Sequence, residues 1–255
     1  MKYLRLILRT ILPNIVRINI RRYIEKVLFP EATYNQDGII SHFNADFMKD
    51  PEFIYAYNKG YSTGSWAGAD IHWRVMTGCA LAKYCIQLEG DFIECGVNRG
   101  GLALSIMHYA FPQENKKIFY LFDTFNGLVE EQISEKEKLL GVRCDRYQDC
   151  YDDVVKTFEE FGSNVKIIRG PIPHTLCKIN VEKISFLSID LNCAEPEIAA
   201  VNHFWEKLVP GAVILFDDYG FPGRNEQKEA ADMFADKFDI KVIPLATGQG
   251  LIIKP

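Results

Sequence analysis

Three carboxylates in this chain are spaced to act together. Asp190 ends the apolar run Ile184–Ile189, and Asp217 and Asp218 end a second run, Ala212–Phe216. The intervals of 27 and 28 residues fit one strand–helix–strand unit. Two adjacent parallel strands would then deliver all three acids to the carboxyl edge of a sheet, where ligands bind in such folds. Carboxylates so placed repel unless a cation neutralises them or one takes up a proton. An all-oxygen set suits Mg²⁺, Mn²⁺ or Ca²⁺ rather than zinc. The plainer alternative is that strand-end aspartates cap the helices or turns that follow.

A second set lies upstream. Phe92-Ile93 leads into Glu94, then come Gly96, Gly100 and Gly101, then the apolar-periodic Leu102, Leu104, Ile106 and Met107. That is a buried strand, a glycine turn and the first turn of a helix. Such a turn brings backbone N–H groups and a helix N-terminus close to a ligand. The spacing is not the Gly-x-Gly-x-x-Gly of dinucleotide binders. The next apolar run, Ile118–Phe122, ends in Asp123, an acid placed to accept from ribose hydroxyls. Together the two describe a site for an adenosine-containing ligand. His174, after the third strand, is a candidate proton acceptor, whereas His72 and His108 fall on helices and read as structural. No His-Glu-x-x-His or P-loop pattern occurs.

The elements that must position these groups follow in order. A helix over Ile71–Leu88, with Asp70 as its N-cap, precedes the first strand. Further helices are expected at about 152–161, 196–208 and 227–238. Strands are expected at 165–168, 184–189, 212–216 and 240–245, with Pro210-Gly211 as a turn. Thr247–Gly250 is a hairpin signal before a last strand, 251–253. The acids between Leu128 and Leu139 read as a solvated face, although a long connection there lies on the ligand side and could serve as a lid. Residues 30–69 are irregular and aromatic-rich, with a short helix at 50–58. The alternation predicts an α/β fold: a doubly wound, mostly parallel sheet with one antiparallel strand near its edge.

Glu94–Gly101 followed by Leu121–Leu128 resembles the macrocin O-methyltransferase family, S-adenosylmethionine (SAM) enzymes acting on sugar hydroxyls. The likeness runs from about Trp73 to the C-terminus. It implies a seven-stranded Rossmann-like methyltransferase sheet over residues 70–255, after an N-terminal extension over 1–69. It also implies cofactor contacts at Glu94, Gly96, Asn98, Gly100, Gly101, Asp123, Thr124, Gly170 and Asp190. The family pattern of two acids and a tyrosine after strand four is altered here, with Asn192 and Ala194 at the second and third places. Asp190 and Asp217-Asp218-Tyr219 are kept, and catechol O-methyltransferases are similar in placing such acids around Mg²⁺. Asp190 is then both metal ligand and general base. A cation on a sugar or alcohol hydroxyl lowers its pKa, and the carboxylate accepts the proton.

Net charge is −5 over 255 residues, which argues against a general nucleic-acid grip. Seven scattered cysteines read as reduced cytoplasmic thiols. Residues 1–29 differ, with seven basic residues against the single acid Glu25 and Leu and Ile between them. No apolar run there reaches the roughly 18 residues of a membrane span. The segment reads either as a basic amphipathic helix lying on a membrane surface or as an arm packing on the domain or a second subunit. The expected partners are a small-molecule or glycan acceptor and a further copy of the chain. Competing classes are an NAD-dependent oxidoreductase, against which the spacing of the glycine turn argues, and a non-catalytic partner subunit of the same fold.

Overall fold

The computed structural model describes residues 16, 27–112 and 115–255. Apart from Val16 and residues 27–29, the basic segment lies outside the described residues. The chain divides into two compact units, the first ending at Asp46 and the second beginning at Phe47.

The first unit contains a hairpin of β1 (Tyr34–Gln36) and β2 (Ile39–Ser41), paired from Tyr34↔Ser41 to Gln36↔Ile39. Asp37 and Gly38 both take positive φ, 50° and 81°, as a two-residue type I′ turn requires. Sequence reading leaves this stretch irregular. Its strands are three residues long, too short for alternation to register, and only the Asp-Gly pair marks the turn.

The second unit opens with α1 (Pro51–Ser62), capped by Asp50, whose carboxylate accepts from Glu52 N at 3.0 Å. Helix α2 (His72–Cys85) follows. Asp70 is not its cap: Ile71 holds that place, with no side-chain cap bond. The sheet is then laid down by β3 (Asp91–Cys95), β4 (Phe119–Asp123), β5 (Val165–Arg169), β6 (Ile184–Ile189), β7 (Leu208–Phe216), β8 (Ile243–Pro244) and β9 (Gly250–Ile253). Between them run α3 (Gly101–Ala110), α4 (Glu135–Leu139), α5 (Tyr151–Phe158), α6 (Ala194–Phe204) and α7 (Asn225–Asp236). The order across the sheet is β5-β4-β3-β6-β7-β9-β8, parallel from β5 to β7, with β9 antiparallel to both neighbours.

Central strands read as unbroken apolar runs because both faces are covered. Successive residues go to opposite faces. Phe92, Phe186 and Val213 pack with α2 and α3, and Ile93, Leu187 and Ile214 pack with α6 and α7. Two expectations need correction. Pro210-Gly211 is not a turn between elements but lies inside β7, where Gly211 (φ 82°) sits at a register shift against β6. The strand expected at 240–245 shrinks to Ile243–Pro244, because Pro244 has no N–H to continue a ladder. Among the described residues, no helix is long and apolar enough to cross a membrane.

Candidate active site

The carboxyl ends of β3, β4, β6 and β7 are laced together by backbone bonds. Gly96 N donates to Phe122 O (2.8 Å), Asp190 N to Cys95 O (2.8 Å) and Asp217 N to Ile189 O (2.9 Å). This edge holds most of the residues singled out from sequence.

At the turn after β3, Gly96 has φ 92°, and a Cβ there would stand 1.8 Å from Asp190 O. Only glycine lets the two strand ends meet so closely. Asn98 (φ 51°) and Gly100 (φ 85°) carry the chain round to α3, which begins at Gly101 without a side-chain cap from its own N-cap residue. Glu94 is buried, and its Oε2 has no hydrogen-bond partner. Burial, with Asp217 and Asp123 nearby, pushes its carboxyl well above the usual range.

Asp123 does more than the ribose role requires. Its Oδ2 accepts from Val97 N and Asn98 N, both at 2.7 Å, and its Oδ1 from Phe125 N at 2.6 Å and Thr124 Oγ1 at 3.3 Å. Burial still raises its pKa, against these bonds. Gly170 closes the same edge, donating its N–H to Asp123 O at 2.9 Å.

Asp217 and Asp218 act electrostatically on Asp190. Burial, then Asp217 and Asp218, push Asp190 well above the ordinary carboxylate range, with Arg74 opposing. Each acid also has a partner that sequence reading missed. Arg74, on α2, places Nη1 2.6 Å from Asp217 Oδ2, and Gln249 Nε2 donates to Asp217 Oδ1 at 3.2 Å. Arg224 Nε stands 3.2 Å from Asp218 Oδ2, and its Nη1 and Nη2 donate to Asn192 O and Oδ1 at 2.9 and 2.6 Å. Asn192, at φ 60°, donates in turn to Asp190 Oδ1 at 2.9 Å. Among the described residues, no three His, Cys, Asp or Glu side chains are grouped to hold a metal. His174 stays exposed on the turn after β5.

Three further groups were missed. Half-buried Tyr147 has its hydroxyl pushed up to about 12 by burial and Asp190, with Arg224, Asp218 and Asp123 also acting on it. Glu197, buried on α6, accepts from Leu191 N at 3.2 Å and Gln227 Nε2 at 2.7 Å. Burial and Asp218 push it up to about 8. Glu137, read as part of a solvated face, is buried. It forms a capping box with Ser134 and accepts from Ala194 N at 2.8 Å. Gln132 Nε2 donates to Ile172 O at 2.6 Å, and Ser134 Oγ bonds Glu226. The connection is a strap tied to α6, α7 and the turn after β5. Its legible signal was the capping box Ser134-Glu-Lys-Glu137.

No curated protein matches the chain. Among solved structures, the O-methyltransferase NovP gives a TM-score of 0.58 at 20% identity, over 69% of this chain and 78% of NovP. CalS11, a calicheamicin methyltransferase, gives 0.56 at 14% identity, over 80% and 93%. TomG from Streptomyces achromogenes, a tomaymycin-synthesis O-methyltransferase solved with SAM, gives 0.51 at 12% identity, over 81% and 91%. These likenesses establish the fold. The sequence profile of the macrocin-O-methyltransferase family matches residues 76–246, which take in most of α2, the glycine turn, Asp123, the strap, Asp190, Asp217 and Asp218. The chain belongs to the macrocin-O-methyltransferase family, and it is a SAM-dependent O-methyltransferase.

Proposed function

We propose that the acceptor is a hydroxyl of a sugar or natural-product glycoside and that a divalent cation assists the transfer. The observation that carries the cofactor assignment is Glu94 Oε2, a buried and unpartnered carboxylate oxygen beside the glycine turn. Buried polar atoms in folded proteins are mostly matched, and the α-amino group of a bound amino-acid moiety would match this one. Bound SAM supplies a methyl group already activated on its sulfonium. The protein's tasks are to hold the acceptor oxygen in line and to take its proton.

Asp190 is the proton acceptor in this reading, at the edge where Asp217, Asp218 and Tyr147 also act. Asp190, Asp217 and Asp218 would hold the cation through oxygen alone, which suits Mg²⁺. The support is electrostatic: burial first, then the charges of Asp217 and Asp218, raise the cost of ionising Asp190. The donor chemistry fits. Arg74 and Arg224 neutralise Asp217 and Asp218, so a cation held there would have to displace those guanidinium groups. His174 is the alternative proton acceptor.

Calorimetry with SAM, S-adenosylhomocysteine and NAD tests the cofactor assignment. SAM and its demethylated product are expected to bind with similar affinity, and tight NAD binding without SAM binding would overturn the assignment. For residues 1–29 we propose contact with an anionic membrane surface or with a second copy of the chain. Salt-sensitive liposome binding that is lost on truncation supports the first, each basic side chain near the surface contributing about 1 kcal/mol. Conversion of an oligomer to a monomer on truncation supports the second.

A further inference from the structure

The loop between α1 and α2 touches the cofactor turn directly. Ser65 Oγ accepts the N–H of Gly101, the first residue of α3, at 2.9 Å. The carbonyl of the same residue accepts from Asn98 Nδ2 at 3.1 Å. One residue thus holds both ends of the Asn98–Gly101 turn. The fit depends on glycine: a Cβ on Gly101 would meet Ser65 Cβ at 2.8 Å and Trp66 Cε2 at 2.9 Å. Thr63 steadies the approach, donating to Gly60 O at 2.7 Å and accepting from Ser65 N at 3.2 Å.

Ser65 is half-buried; its oxygen accepts the Gly101 N–H, and its hydroxyl, 3.2 Å from Thr63 Oγ1, can turn its hydrogen from that long contact to a ligand. A helix N-terminus favours an anion, and the only anionic group of SAM is its α-carboxylate. The second sign of a ligand here is independent: Glu94 Oε2, buried and unpartnered, stands at the strand end that leads into the same turn. A carboxylate donor and an amine acceptor flanking one turn are what a zwitterionic amino-acid moiety needs. Gly64 and Gly68 both have positive φ, and a Cβ would meet nothing within 4 Å at Gly68 and only Arg99 Cδ, at 3.8 Å, at Gly64.

We propose that Ser65 is a cofactor-binding residue supplied by this loop, its hydroxyl donating to the carboxylate of the methionine moiety while Glu94 receives the amine. The assignment rests on SAM lying against the glycine turn. Its test compares SAM with decarboxylated SAM by calorimetry on the full chain. The wild type is expected to prefer SAM roughly tenfold or more, as one hydrogen bond to a charged group implies. Ser65→Ala weakens SAM by about that factor and leaves the decarboxylated ligand unchanged, so the preference disappears. Ser65→Gly, which removes the hydroxyl without adding bulk, gives the same pattern and guards against a folding defect peculiar to one variant. Equal weakening of both ligands makes the loop merely structural and overturns the assignment, as does wild-type SAM affinity in both variants. A wild type that binds neither ligand sinks the cofactor reading itself, and this assignment with it.

Discussion

Asp123 Oδ2 lies 2.7 Å from the backbone nitrogen of Asn98, and equally close to that of Val97. The acid at the end of β4 therefore shapes the turn at the end of β3 before any ligand arrives. Asp123→Ala strands several buried N–H groups, and each lost bond to the carboxylate costs about 1.5–3 kcal/mol. We expect a lowered melting temperature together with weakened SAM binding. Asp123→Asn, with one acceptor oxygen left, should fall between the two. An alanine variant as stable as wild type that loses only cofactor affinity would leave ribose binding as the residue's sole role.

Turnover should stop in excess chelator while SAM binding persists, because Glu94 and the glycine turn lie at the end of β3 and the three acids just beyond β6 and β7. Mg²⁺ should restore activity and Zn²⁺ should do so poorly, since no His or Cys joins the set. Asp190→Asn should lose more rate than Asp217→Asn or Asp218→Asn, because it removes a base as well as a ligand. Full activity in chelator, with both strand-β7 variants near wild type, would return these acids to a structural role.

Glu137 ties the strap to Ala194 N at 2.8 Å. Glu137→Ala removes the capping box, worth about 1 kcal/mol, and frees the strap from the start of α6. The acceptor KM should rise while the Kd for SAM stays the same, which steady-state kinetics and calorimetry will separate. A change in both would place the strap in the cofactor site instead.

Glu197 should make stability fall as pH rises. Its carboxyl is pushed up from 4.5 to about 8 in the folded protein, so between those values the native state holds a proton that the unfolded chain has lost. Stability contributed by the protonated form is complete below the unfolded pKa and declines as pH climbs towards 8. Denaturant titrations from pH 5 to pH 8 should show that decline, and Glu197→Gln should flatten it. A wild-type slope of opposite sign would show that other groups dominate.

The strand ends were legible because a strand covered on both faces reads as an uninterrupted apolar run, and the residue after it stands out. Asp123, Asp190, Asp217 and Asp218 are such residues. Arg74 was not legible: its partner Asp217 lies 143 residues away, and a lone arginine on an amphipathic helix carries no local mark of that pairing. Arg224 and Asn192 are hidden for the same reason, since their bond exists only once β6 and β7 are side by side. Glu137 differs. Its capping box was written in four consecutive residues, but a run rich in Glu and Lys reads first as surface.

The sheet's two borders constrain how copies of the chain can associate. At one border β8 offers only Ile243 and Pro244, and proline brings no N–H to a newcomer. At the other, β5 carries Lys166 and Arg169, charges that discourage a flat strand from docking. Neither border is a template for a neighbouring chain. Growth of this seven-stranded sheet by addition of a strand is therefore disfavoured at both borders.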